Sequence, residues 1–145
     1  VQVRGHALLP AVQFSIAPWQ YDESASDACR KALSEREQRL PLLEELAANA
    51  LATGEPIVRP LWWHDPADPT CQWVADEFML GQSTLVAPVL DAGVRSRAVY
   101  LPRGRWLDKA QRVHVGPTWL VEHPVALDEI ATFELLPELG AGSEH

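Results

Sequence analysis

The chain has 145 residues, 47% hydrophobic and 22% charged, with six Trp and a formal net charge of -8. That much apolar material supports a packed core and excludes a disordered chain, while the acidic balance, with a pI near 5.0, repels a phosphate backbone and excludes nucleic acid as a partner. No apolar run approaches the roughly 20 residues that span a bilayer, and the Val1–Leu9 stretch has neither the length nor the cleavage site of a signal peptide, so no transmembrane segment is expected in these residues.

The chain opens Val1-Gln2-Val3 with no initiator methionine, which suggests a fragment of a longer protein. Val3 to Ser15 is mostly apolar and ends in Pro10-Ala11-Val12-Gln13-Phe14-Ser15, the pattern of a helix end followed by a short buried strand. A loop through Pro18-Trp19-Gln20-Tyr21 follows. Ser24 stands three residues before Asp27, a capping-box-like start, and Ala28, Leu33, Leu40, Leu43, Ala47, Ala50 and Leu51 recur at near-helical spacing. The spacing predicts one long helix over 24–53, kinked or restarted near Leu40 because Pro41 removes a donor, and stopped by Gly54.

Ile57-Val58-Arg59 predicts a short strand, closed by Pro60 and the loop His64-Asp65-Pro66-Ala67-Asp68-Pro69, which completes an αβ unit. After Trp73 the texture changes. Phe78-Met79-Leu80, Thr84-Leu85-Val86-Ala87, Ala98-Val99-Tyr100-Leu101 and Ala131-Thr132-Phe133-Glu134-Leu135 are short apolar runs between Gly, Pro and charged turns, which predicts antiparallel β structure. The boundary between the two textures falls near residues 70 to 76, and Gly140 to His145 reads as a polar tail.

Chemistry is harder to read. His6, His64, His114, His123 and His145 show no spacing that puts two on one helix face, so no metal site is expected. The His64–Asp68 loop lacks the ligand periodicity and central glycine of a calcium loop and reads as a solvated turn. Asp27, Glu35, Glu37, Glu44 and Glu45 lie among Arg30, Lys31, Arg36 and Arg39, the composition of a solvated helix face. Ser15, Ser24 and Ser83 lack a nucleophile elbow, and no glycine-rich phosphate loop exists. Six Trp suit sugar stacking as well as core packing, and core packing is the expectation. Cys29 and Cys71 are compatible with one disulfide, two free thiols or outside partners, with buried thiols favoured.

Four blocks carry a resemblance. Gly54-Glu55-Pro56-Ile57-Val58-Arg59-Pro60-Leu61-Trp62 is similar to G-x-P-[VI]-x-R-P-L/M-W, and Asp76-Glu77-Phe78-Met79-Leu80-Gly81 to D-x-Q-F followed by two apolar residues and Gly. Leu85-Val86-Ala87-Pro88-Val89-Leu90 matches L-[LV]-V-A-P-V, and Val99-Tyr100-Leu101-Pro102-Arg103-Gly104-Arg105-Trp106-Leu107-Asp108 resembles V-Y-L-P-x-G-x-W-x-D. In this order and spacing they resemble glycoside hydrolase family 31. Arg39-Leu40-Pro41-Leu42-Leu43 resembles the family's R-x-x-L-L-P-Y helix with Pro displaced, and Pro10 to Trp19 resembles the branch that contains the myogenesis-regulating glycosidase.

The resemblance implies an α/β region followed by an all-β one: residues 1–72 as the last αβ units of a (β/α)8 TIM barrel and 73–145 as the start of a proximal C-terminal β-sandwich. It implies a retaining, exo-acting α-glycosidase with a carbohydrate substrate and no cofactor or metal, whose nucleophile and acid/base aspartates lie upstream of Val1, so no residue here is catalytic. Many family α-glucosidases show P-F-x-R-x-H where this chain has Pro10 to Ser15, which puts Gln13 at the arginine and Ser15 at the sugar-reaching histidine. Gln13 and Ser15 are thus the candidate substrate-binding residues, with capping of a strand as their structural alternative. The departure favours α-galactoside over α-glucoside or α-xyloside. A non-catalytic carbohydrate-binding or interaction module and an inactive family member are the rivals; the module gains if Trp106 and Trp119 share one open face and loses if they are buried. A homo-oligomer is compatible with either, and the branch resemblance implies a membrane-anchored parent in the secretory pathway or endoplasmic reticulum.

Overall fold

The computed structural model of the protein describes residues 3–5, 12–14 and 17–138, the first two segments by their backbone alone. Where a helix end was expected, Val3–Gly5 is strand β1, antiparallel to β2, Val12–Phe14, with Val3 opposite Phe14 and Gly5 opposite Val12. A lone helical turn fixes several dihedrals for one hydrogen bond, whereas two short extended segments satisfy each other's backbone groups. The expected strand within 10–15 is present, and the polar tail at 140–145 lies outside the described residues. The chain divides into two compact units, 1–55 and 56–145.

In the first unit α1 runs from Glu23 to Thr53 without interruption. Its start is capped by Asp22, whose side chain accepts from the Ala25 amide at 2.8 Å, rather than by Ser24. An ionised carboxylate there also complements the helix dipole. Gly54 ends it as expected, with φ 79 and its amide bonded to the Ala50 carbonyl. The expected restart at Pro41 is not seen. Pro41 and Glu37, whose carbonyl loses its partner, both face solvent, where water replaces the missing bond. Of the helix's residues only Cys29 is buried, and Leu51 is 90% exposed.

The second unit holds the core. Strands β3 (Val58–Arg59), β4 (Phe78–Leu80), β5 (Thr84–Ala87), β6 (Ser96–Asp108), β7 (Val113–Pro124) and β8 (Ala131–Leu136) form one sheet in the order β3-β4-β5-β8-β6-β7. Every pairing is antiparallel, as the short apolar runs predicted. Strand β5 is buried at all four positions, and its Leu85 shares one core with Met79, Val99, Leu101, Trp106 and Phe133, all with 1% exposure or less. Each such side chain contributes about 1.5–3 kcal/mol of burial.

Strand β6 bends between its partners. Its second half pairs with both β7 and β8, whereas Arg97 to Leu101 pair with β7 alone. Side chains fill that gap: Glu77 Oε1 accepts from the Tyr100 amide at 2.8 Å, and Arg97 donates to the carbonyls of Asp76 and Pro88. Two register shifts accommodate the bend. At the second, Gly104 adopts φ 139, and Gly116 opposite it could not carry a side chain, since a Cβ would sit 1.9 Å from the Pro102 carbonyl oxygen.

Candidate functional site

Gln13 lies in β2 opposite Arg4, and only its backbone is described; Ser15 lies outside the described residues.

In the second unit the His64–Asp68 loop is braced. A short helix α2 (Leu61–His64) buries Leu61 and sets the His64 ring 5.5 Å from Trp106, with Nε2 3.3 Å from the Arg103 carbonyl. Asp65 pairs with Arg103 at 3.7 Å, and Asp68 accepts from the Thr70 amide and the Tyr100 hydroxyl. The Tyr100 bond holds the Asp68 carboxyl below its ordinary value, while burial and then Asp68 push the Tyr100 phenol up to about 12. The loop's carboxylates are engaged in bracing, and no metal-holding cluster exists among the described residues.

The cysteines are free and buried, Cys29 in the first unit and Cys71 in the second. Burial, then Asp68 and Asp65, raise the Cys71 thiol to about 12, which leaves it inert as a nucleophile. The tryptophans correct an expectation: Trp106 alone is a core residue, its Nε1 donating to the Pro102 carbonyl at 2.8 Å, while Trp19, Trp62, Trp63, Trp73 and Trp119 are exposed. Trp119 is 48% exposed and packs 5.0 Å from the Tyr100 ring, so Trp106 and Trp119 do not share an open face.

The densest polar cluster is one that spacing did not reveal. Asp108, 2% exposed, ends β6 and accepts from the Arg112 amide, the Arg112 Nε and His114 Nε2, all at 2.9 Å. Burial alone would raise its carboxyl; the donors from His114 and Arg112 outweigh that and hold it at about 2. Asp108 is thus a saturated turn staple, ill suited to proton transfer. His114 and His123 both pack on Phe133, at 6.1 and 5.0 Å, although nine residues apart on a strand should place them on opposite faces. A bulge explains it: between the pairs Val99↔Leu120 and Arg97↔His123, β7 advances three residues while β6 advances two, which flips the alternation. Alongside runs a cleft of about 490 Å³ whose lining includes the apolar Val125, Ile130 and Ala131, the cations Arg95 and Arg112, His123, and the acidic Asp108 and Glu129. Burial lowers the His123 imidazole below its ordinary value, only partly offset by Asp108, so the ring is neutral at pH 7.

Glu77 is the one carboxylate whose second oxygen, Oε2, is buried with no partner among the described residues. Burial raises it to about 7 despite the Tyr100 amide and Arg97 at 3.4 Å.

This frame of β3 to β8, with the Gly104–Trp106–Asp108 segment at its centre, coincides with the part of the chain, residues 54–134, that matches the Glycosyl hydrolase family 31 C-terminal domain. The chain belongs to glycosyl hydrolase family 31. It is 46% identical over 129 residues to the Myogenesis-regulating glycosidase of Mus musculus, an alignment covering 88% of this chain and 18% of that protein. To the SITS-binding protein of Tetronarce californica it is 40% identical over 130 residues, 86% of this chain and 19% of that one. Among solved structures, a GH31 alpha-xylosidase from a soil metagenome complexed with xylose superposes with a TM-score of 0.78 at 32% identity, covering 88% of this chain and 19% of that one. The chain thus spans about a fifth of the length of these relatives. In this family setting the braced loop, the Trp106 core and the Asp108 staple are scaffold of the C-terminal domain. No helix among the described residues is long and apolar enough to cross a membrane.

Proposed function

We propose that the protein to which this chain belongs is a retaining, exo-acting α-glycosidase, with terminal α-galactosides the favoured substrate and α-glucosides or α-xylosides next. The match of residues 54–134 to the family 31 C-terminal domain carries the reading. Residues 1–72 are assigned to the C-terminal end of a TIM-barrel catalytic domain and 73–145 to the proximal β-sandwich.

Retaining hydrolysis needs two carboxyl groups about 5–5.5 Å apart across the scissile bond, one nucleophile and one acid/base. We assign neither role to an aspartate or glutamate of this chain: the carboxylates of Asp68 and Asp108 are taken up by hydrogen bonds that brace the scaffold, and Glu77 is buried beside the Tyr100 amide. Gln13 and Ser15 are assigned to the sugar. A serine hydroxyl is shorter than an imidazole and uncharged, so it leaves room and a different hydrogen-bond geometry beside the ring.

The second reading, a carbohydrate-binding or interaction module without catalysis, rests on the five exposed Trp and is weakened by the burial of Trp106. An inactive family member would share it. Chromogenic α-galactoside and α-glucoside, offered to the full-length protein, separate these: cleavage of α-galactoside that shifts toward α-glucoside by about tenfold or more in Ser15→His supports the assignment. Cleavage of neither sugar removes the galactoside and glucoside assignments and shifts weight to another sugar or to an inactive, binding-only relative.

A further inference from the structure

The cleft beside Asp108 has donors with no partner among the described residues. Arg112 Nε is tied to Asp108 Oδ2 at 2.9 Å, and its two terminal nitrogens have no partner among the described residues. The buried carboxylate thereby fixes the guanidinium and presents its outer edge. Arg95, on the same rim, gives one nitrogen to the neighbouring Val94 carbonyl at 3.1 Å and engages no other group among the described residues. His123 touches the Phe133 ring but makes no hydrogen bond to any described residue. Neither ring nitrogen is buried without a partner, so both are open to water or to a ligand.

These groups differ in what they would hold. Two guanidiniums match a carboxylate or phosphate, which offers several acceptor oxygens in one plane or around one centre. A neutral imidazole offers one donor and one acceptor, the pair a hydroxyl group needs. Thr132 adds a hydroxyl to the wall, and Val125, Ile130 and Ala131 give an apolar floor for the flat face of a ring. At about 490 Å³ the cleft falls in the range of small-molecule sites, about 300–1,000 Å³.

We propose that this cleft is an accessory binding site for a sugar carrying an anionic group, a uronate or a sugar phosphate, with Arg95 and Arg112 on the anion and His123 on a ring hydroxyl. It is separate from the glycosidase reading, since it uses none of the residues assigned to the scissile sugar.

The full-length protein, titrated calorimetrically with glucuronate, glucose 6-phosphate, glucose and inorganic phosphate, tests it. Glucuronate or glucose 6-phosphate should bind measurably better than glucose, and whichever binds names the anion source. Arg95→Ala touches no buried group and should weaken binding by about tenfold, as should His123→Phe, which keeps the ring on Phe133 and removes both nitrogens. Inorganic phosphate binding as tightly as the sugar phosphate would remove the sugar from the proposal. Absence of binding by either anionic sugar, or affinity unchanged in both variants, would overturn it. Glycosidase turnover measured on the same Arg95→Ala protein should be unaltered, so loss of activity in the wild type and loss of this site are read separately.

Discussion

The two units of the chain solve the same problem to different extents. Residues 56–145 bury nearly all of the described core, thirteen of fourteen buried apolar residues, whereas the helix of 1–55 buries Cys29 alone and leaves Leu51 90% exposed. A helix is held mainly by the tertiary burial of one face, and α1 has its caps but little of that burial. A sheet with a central strand buried at every position supplies its own core. Good local signals are therefore no measure of independent stability.

The sharpest way to break that contrast is to separate the units. Residues 56–145 alone should melt cooperatively by circular dichroism, and residues 1–55 alone should aggregate or stay partly unfolded; a cooperative melt of the short piece would erase the distinction. Next in size, Phe133→Ala should cost about 3–5 kcal/mol in denaturant unfolding, while Leu51→Ala should stay within about 0.5 kcal/mol. Equal costs would mean that α1 is as well packed as β8.

A pH test probes the one unsatisfied carboxyl. The family block carries Gln where this chain has Glu77, and folding raises its pKa from 4.5 to about 7. The unfolded chain releases that proton first, so between those values the native state binds more protons and stability falls as pH rises, then levels off above about 7. Glu77→Gln should flatten this fall and be more stable at pH 8, on the order of 1–3 kcal/mol; an unchanged slope would assign it to other groups. Smallest, Asp22→Ala should cost about 1 kcal/mol, detectable as lost helicity at the start of α1.

Particular residues show where the sequence was readable. Gly54 could be placed as a helix stop because only a residue at ease with positive φ ends a helix that way. Strands β4, β5 and β8 were readable as short apolar runs between turns. Strand β7 was not picked out, because Gly116 and Pro117 interrupt the alternation of Val113, Val115, Trp119 and Val121. The cluster of Asp108, Arg112, His114 and His123 was hidden for a related reason, since a one-residue bulge reverses the face on which His123 lies. Pro41 misled in the other direction: its lost hydrogen bond is costly inside a protein and cheap on a wet face.

By itself the sequence determined the long helix with its glycine stop, the antiparallel character of the second half and the family, because local propensity, turn residues and the four ordered blocks are properties of neighbours along the chain. Only the tertiary structure decided that one tryptophan of six is core, that β6 bends away from β8, and that Arg95, Arg112 and His123 line one cleft. Those depend on strand order and register, which bring together residues that the chain keeps far apart.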